Sequence, residues 1–389
     1  MSDAIVITAA RRTAIGAFQG QFAPVSGTDL GAAAIRAVIA DSGVAGEEVS
    51  EVLMGCVLPA GLGQAPARQA AIGAGLPLSV GCSTLNKVCG SGMKTVMLAH
   101  DALRAGSAGI VVAGGMESMS NAPYLVPRSL RMGHQQLTDH MFFDGLQNPY
   151  DGQMMGRFAE NTAAEYGFSR EEQDAFSRAS VERALAAIGN GSFDAEIVPV
   201  TVRTRKGEAE IATDEEPGRI NIDKIPALKP AFAKDGTVTA ASSSKISDGG
   251  AAALLMSEGA AESRGIRPLA RIVAHATHSQ EPEWFTTAPV GAMKKVLESA
   301  GWQPADVDLY EINEAFATVS MAAMKDLDLP HEKVNIHGGA CALGHPIGCS
   351  GTRILVTLIH ALKTAGGKRG IASLCIGGGE ATAIAVELP

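Results

Sequence analysis

Aromatic side chains are scarce in this sequence: Phe, Tyr and Trp make up 4 % of its 389 residues. An interior without large rings is filled by Ala, Val, Ile and Leu, as in layered proteins of small-residue type. Long apolar runs are missing too, so no membrane span is expected. The start, Met1-Ser2-Asp3-Ala4-Ile5-Val6-Ile7-Thr8, enters a strand-like segment with no charged leader or signal-peptide stretch. The six cysteines (Cys56, Cys82, Cys89, Cys341, Cys349, Cys375) show no CxxC spacing. That excludes a small disulfide-stapled secreted scaffold and reads as reduced thiols in a cytoplasmic compartment. Basic residues are outnumbered, 32 against 41 acidic for a net charge of −9, which argues against nucleic acid as a partner. An anionic small molecule is not excluded, because only the field at its own site matters.

What is present is 46 % apolar residues and 45 glycines in a βαβα alternation, the mark of a mostly parallel sheet covered by helices. Strands are expected over Ala4–Thr8, Val49–Val57 and Gly109–Gly115. Helices are expected over Asp29–Ser42, capped by Thr28 or Asp29, over Gln64–Ala74 and over Met93–Arg104. Between about 117 and 245 the pattern turns polar and loop-rich. One helix stands out there, Ser169–Ile188, opened by the capping box Ser169 and Glu172. Layered character resumes at Ser247. A second version of the first half follows, with helices at Val290–Ala300, Ala315–Lys325 and Thr352–Ala365 and strands at Val307–Glu311 and Gly370–Cys375. Ser91-Gly92, a helix and a strand ending Gly-Gly-Met-Glu are matched by Ser350-Gly351, a helix and a strand ending Gly-Gly-Gly-Glu, so two similar halves are expected to share one site.

Four short stretches carry chemistry. In Asn86-Lys87-Val88-Cys89-Gly90-Ser91-Gly92, a cysteine stands where a strand hands over to a helix, among residues small enough to admit a substrate. Unpaired N–H groups at a helix start favour a thiolate, as a nucleophile requires; a buried small hydrophobe beside a tight turn would look the same. His345 is followed by Pro346 and flanked by Gly344 and Gly348, so its ring is carried on a turn. It suits either a satisfied loop histidine or a base working near neutral pH. Cys375 closes an apolar strand before three glycines, a place equally suited to a structural cysteine. Asn313, between a strand and a helical run, has an ordinary role open to it as a helix N-cap.

Taken together and in this order, Cys89 with its flanks, Asn313-Glu314-Ala315-Phe316, Gly338 to Gly351 and Cys375-Ile376-Gly377-Gly378-Gly379 resemble the thiolase family over essentially the whole chain. The resemblance implies an α/β fold of five layers, αβαβα, built from two similar halves: residues 1–118, completed by about 247–270, and residues 271–389. A loop domain, 119–246, covers the coenzyme A site. It also implies a reversible Claisen condensation of two acetyl-CoA to acetoacetyl-CoA and CoA, by ping-pong chemistry through an acyl-Cys89 intermediate. His345 would take the Cys89 proton. Cys375 would exchange the proton of the second acetyl group, which requires neighbours that hold its pKa down. The N–H groups of Gly377 and Cys89 would form one oxyanion hole, and His345 with an Asn313-held water a second. Ser244 and Ile246 would lie beside the pantetheine, Phe232 near the adenine, Leu146, Met155, Ala315 and Phe316 around the acyl end, and Arg219 near a phosphate. Coenzyme A is then substrate and product, no other cofactor or metal is expected, and the family assembly is a homotetramer built as a dimer of dimers.

Three positions depart from the common family pattern: His337 where Asn is usual, Lys245 where Gly is frequent, and Met154 where many short-chain members carry His. They leave acyl-chain length open, so a degradative 3-ketoacyl-CoA thiolase with the same catalytic residues is the near alternative. A non-catalytic acyl-CoA-binding scaffold is a further one. A ketosynthase fed by a carrier protein shares the fold but lacks the Cys-x-Gly-Gly-Gly ending.

Overall fold

The computed structural model describes residues 3–129, 131–204 and 207–389; the reading of Met1 and Ser2 lies outside them. The N-terminal half contributes strands β1 (Ile5–Thr13), β2 (Glu51–Gly55), β3 (Gly81–Leu85), β4 (Ile110–Ser118) and β5 (Ser247–Ser257). The C-terminal half contributes β6 (Ala270–Ser279), β7 (Leu309–Ile312), β8 (Arg369–Ile376) and β9 (Glu380–Glu387). Hydrogen bonds run in the order β3-β2-β4-β5-β1 and then β6-β9-β8-β7.

The internal repeat is visible in this order. From the junction outward, β1, β5, β4 and β2 have the same sequence of partners and directions as β6, β9, β8 and β7: two antiparallel pairings, then a parallel one. The difference is the connection. β8 passes to β9 through three glycines, whereas β4 reaches β5 only after the long segment 119–246. The halves are also joined edge to edge, through two antiparallel residue pairs, Val6 with Arg271 and Ile7 with Ala270.

Helices α1 (Gly27–Ser42), α2 (Ser91–Ala105), α3 (Met155–Tyr166), α4 (Arg170–Gly189), α5 (Ala288–Ala300), α6 (Ala317–Leu327) and α7 (Ser350–Ala365) complete the layers. α2 and α7 form the middle one. Met93, Val96 and Met97 of α2 and Ile354, Leu355 and Leu358 of α7 are buried between inward-facing residues of both sheet halves, such as Val111, Leu255, Leu374 and Ile384. α1 covers the outer face of the first half and α5 with α6 that of the second. The layers are α, β, α, β, α. In each repeat the Ser-Gly pair opens the central helix, and its glycine permits the crossing: a methyl on Gly351 would sit 2.3 Å from the Met93 nitrogen, and one on Gly92 2.8 Å from Thr352 Oγ1.

Local expectations hold with some corrections. The capping box of Ser169 and Glu172 opens α4 as expected. α1 begins earlier than expected and is capped by Ser26, whose side chain accepts the Asp29 N–H, so neither Thr28 nor Asp29 is the cap. β1 extends through Arg11 and Arg12 to Thr13. α3 carries no start signal, since its N-cap Met154 has no side chain able to accept a hydrogen bond.

Candidate active site

Cys89 is carried by a braced turn between β3 and α2. Val88 adopts φ 47°, a left-handed conformation that strains a β-branched residue. The turn is held by side chains. Asn86 Oδ1 accepts the Val88 N–H at 2.8 Å; Ser91 Oγ accepts the Lys87 N–H at 2.8 Å and donates to the Val88 carbonyl at 2.6 Å. An ion pair between Lys87 and Glu380 fastens it to β9 of the other half. The Gly377 N–H and the Cys89 N–H both face the sulfur and favour its ionised form, but burial outweighs them and pushes the thiol up to about 11. The expectation of a resting thiolate is therefore corrected: α2 starts two residues after Cys89, and desolvation dominates.

His345 lies on the loop before α7, with its N–H donated to the Lys245 carbonyl at 2.9 Å. Its ring is buried. Nδ1 sits 2.5 Å from Ser350 Oγ, which lies 3.0 Å from the Pro346 carbonyl. A hydroxyl has one proton; given to Pro346, it leaves the oxygen to accept Nδ1–H, so Nε2 carries the lone pair. Nε2 has no hydrogen-bond partner among the described residues. Burial, reinforced by the Arg353 guanidinium, pushes the imidazole down to about 3, so it rests as a neutral base. No hydrogen bond joins it to Cys89.

Asn313 is buried with its Nδ2 3.5 Å from His345 Nδ1, and its Oδ1 has no partner among the described residues. The N-cap role is excluded, because α6 is capped at Phe316 without a side-chain bond. Cys375, at the end of β8, is fully buried. Burial, and then the neighbouring Cys89, push its thiol well above the ordinary value. The expected depression is thus corrected too: among the described residues only the N–H of Cys375 itself opposes desolvation. After it the chain turns through Gly378 and Gly379, at φ 94° and 90°, and a methyl on Gly379 would sit 2.3 Å from the Gln280 carbonyl.

Models of the thiolase N-terminal and C-terminal domains match residues 5–259 and 266–388. The chain belongs to the thiolase family. It is 51 % identical to an acetyl-CoA acetyltransferase of Chromobacterium violaceum, across 99 % of this chain and 100 % of that protein. It is similar to the crystal structure of the Bacillus anthracis acetyl-CoA acetyltransferase, with TM-score 0.97 at 42 % identity over 100 % of this chain and 99 % of that one. A thiolase from Ascaris suum in complex with coenzyme A gives TM-score 0.95 at 42 % identity, over 99 % and 100 %.

In this thiolase His345 lines a cavity of about 200 Å³ together with six of the residues singled out from sequence: Leu146, Met155, Phe232, Ser244, Ile246 and Phe316. Met154 lines it as well. Cys89 is not itself in the lining but packs on the same buried cluster, which includes Met119 and Ile347, as the wall residues Leu146 and Ile246, and Gly377 adjoins the cavity, since a methyl there would lie 3.5 Å from Met155 Cε. Ala315 is outside the lining but accepts the Ser244 N–H at 2.9 Å. Arg219 is not brought to the cavity; it is largely exposed and pairs with Glu215 at 3.3 Å. His337 stacks edge to face on Phe193, away from the lining. Lys245 contributes to the wall while its ammonium is tied to the carbonyls of Ala240 at 2.6 Å and Ser243 at 2.8 Å.

Sequence reasoning missed Ser350 as the partner of His345, the lining residues Met119, Phe142, Ser243 and Ile347, and Glu117. The buried Glu117 carboxylate accepts N–H groups from Val57 (2.9 Å), Leu58 (3.1 Å) and Gly348 (2.9 Å), so it fastens the His345 loop to the first half. The repeat was the available signal for Ser350, which occupies in the second half the place of Ser91 in the first.

Proposed function

We propose that this thiolase is an acetyl-CoA C-acetyltransferase, joining two acetyl-CoA to acetoacetyl-CoA and CoA and running equally in reverse. One observation carries the reading. A neutral imidazole whose Nε2 has no partner among the described residues lines a small apolar cavity, and the wall residues Leu146 and Ile246 pack on the same buried cluster as Cys89, whose sulfur is faced by two backbone N–H groups. The cavity of about 200 Å³, walled largely by apolar side chains, suits an acetyl or acetoacetyl group and the end of a pantetheine arm.

The thiol of Cys89 adds to the acetyl-CoA carbonyl as His345 Nε2 removes its proton. The oxyanion meets the N–H groups of Gly377 and Cys89, a contact of the kind worth about 2.7–4 kcal/mol per donor. Cys375 gives its proton to the departing CoA thiolate, leaving acetyl-Cys89, a Cys375 thiolate and an imidazolium at His345. A second acetyl-CoA then loses a methyl proton to Cys375. Its enolate oxygen is held by the His345 imidazolium and by a water on Asn313, its carbon attacks acetyl-Cys89, and collapse of the adduct expels the Cys89 thiolate, which takes its proton back from His345. Cys375, a neutral thiol at rest because burial and the neighbouring Cys89 hold its pKa up, is thus the acid of the first step and, as the resulting thiolate, the base of the second. Ser244 and Ile246 hold the pantetheine, Phe232 the region toward the adenine, and Leu146, Met155, Ala315 and Phe316 the acyl end. Arg219, set apart on the surface, is retained only as a phosphate contact at the far end of the coenzyme. Coenzyme A enters and leaves as substrate, and no resident cofactor takes part.

A homotetramer is what the family resemblance implies, and the cytoplasm is what six cysteines without CxxC spacing suggest. No helix among the described residues is long and apolar enough to cross a membrane. The test is thiolysis of acetoacetyl-CoA beside 3-ketoacyl-CoA substrates of about six to ten carbons, compared as kcat/KM. Preference for four carbons supports the proposal. Equal or better cleavage of the longer chains replaces it with the degradative thiolase and points to Met154 as the residue that opens the cavity.

A further inference from the structure

Away from the cavity, three metal-ligating side chains converge where the two halves meet. His100 and Asp101 are neighbours on α2, and His275 stands on β6. Successive helical positions do not normally face one another. Here His100 Nδ1 lies 3.1 Å from Asp101 Oδ1, His275 Nε2 lies 3.0 Å from the same oxygen, and the two ring nitrogens are 3.1 Å apart. The rings stand edge to face, at 85° with centroids 4.8 Å apart. Among the described residues no other group of three such side chains is close enough to share an ion.

The three atoms make a nearly equilateral triangle. Ligands on a tetrahedral Zn²⁺, with bonds of ~2.0–2.1 Å, are separated by roughly 3.3 Å, so a displacement of a few tenths of an ångström turns this triangle into the base of a tetrahedron. Two imidazoles and one carboxylate are a ligand set that zinc accepts, with water in the fourth position. Both histidine side chains are mostly covered, at 18 % and 16 % exposure, while Asp101 is 54 % exposed, so the place has walls and an entrance. Without an ion, neutral rings satisfy this triangle only when one ring nitrogen donates to the carboxylate oxygen and the other turns a lone pair toward that same oxygen. An ion gives each of the three lone pairs its own partner.

We propose that His100, Asp101 and His275 form a Zn²⁺ site that ties α2 to β6 and so clamps the two halves together, independently of the reaction at Cys89. The full-length protein, stripped with a chelator, is titrated with Zn²⁺ by calorimetry, and its melting is followed with and without the ion. One equivalent per chain at low-micromolar affinity or tighter, with a higher melting temperature, is expected. Co²⁺ in its place should give the absorption of a tetrahedral nitrogen and oxygen site without thiolate charge transfer. The double substitution His100→Gln with His275→Gln should lose the tight equivalent and the thermal shift. Asp101→Asn, on an open surface where folding is not at risk, should weaken binding at least tenfold. Zinc bound equally well by these variants, a thiolate signature in the cobalt spectrum, or no binding by the parent protein overturns the proposal.

Discussion

Replacing Ser350 by Ala removes the group that sets the working tautomer of His345 while leaving both catalytic side chains in place. Ser350 is fully buried at the start of α7, with Oγ 2.5 Å from Nδ1. Asn313 Nδ2 lies near Nδ1, at 3.5 Å, and is a donor as placed, so accepting Nδ1–H would require the amide to turn over. A buried donor left without a partner costs about 1–3 kcal/mol. The ring escapes that cost by shifting its proton to Nε2 or by turning, and either removes the base from Cys89. The expected loss in kcat/KM for acetoacetyl-CoA thiolysis is therefore about 5- to 150-fold at about 1.4 kcal/mol per decade. Alkylation of Cys89 by iodoacetamide should slow in parallel, and the melting curve should stay cooperative. Ser350→Thr, which keeps a hydroxyl, should recover much of the activity. Thiolysis and alkylation by the alanine variant within twofold of the parent would refute the tautomer argument.

Three further outcomes are expected. Because burial holds the Cys89 thiol up to about 11 and His345 down to about 3, its alkylation rate in the free enzyme should climb about tenfold per pH unit from pH ~6 to ~9. A plateau near neutrality would instead reveal a preformed thiolate and imidazolium pair. Met154→Ala should raise the ratio of kcat/KM for six- over four-carbon 3-ketoacyl-CoA by roughly 15-fold, taking ~0.8 kcal/mol for each of two accommodated methylenes; an unchanged ratio would remove Met154 from the control of chain length. Burial pushes the Glu117 carboxyl up to about 7, against the pull of three N–H groups. The folded state therefore holds a proton that the unfolded chain releases near pH 4.3, and this contribution, full below that pH, is lost as pH rises through about 7, about 3–4 kcal/mol at most. Denaturant titrations should show the parent losing more stability than Glu117→Gln between about pH 4.5 and 7.5; parallel profiles would contradict the shift.

Much of the architecture was legible because it is written in local pattern. The capping box at Ser169, the helical spacing of Met93, Val96 and Met97, and the paired Ser-Gly openings of α2 and α7 each need only neighbouring residues to be recognised. α3 and the final strand β9 were not, for different reasons. α3 lacks a capping side chain, and β9 is buried on both faces, so the alternation that marks a strand is absent from its interior. At the site, the residue types and their order pointed to Cys89, His345, Asn313 and Cys375. Their protonation states did not follow, because those depend on burial from both halves at once. Glu117 was hidden for a similar reason: it works through backbone N–H groups about 60 and 230 residues away in sequence.

The central claim is that Cys89 becomes acylated by acetyl-CoA. The most direct measurement is intact and peptide mass spectrometry of the protein after brief exposure to acetyl-CoA and an acid quench. A single acetyl group on the Cys89 peptide is expected, removed by added CoA and absent from the folded Cys89→Ser variant. No acetyl adduct, or one on Cys375 that persists in the serine variant, would contradict the mechanism.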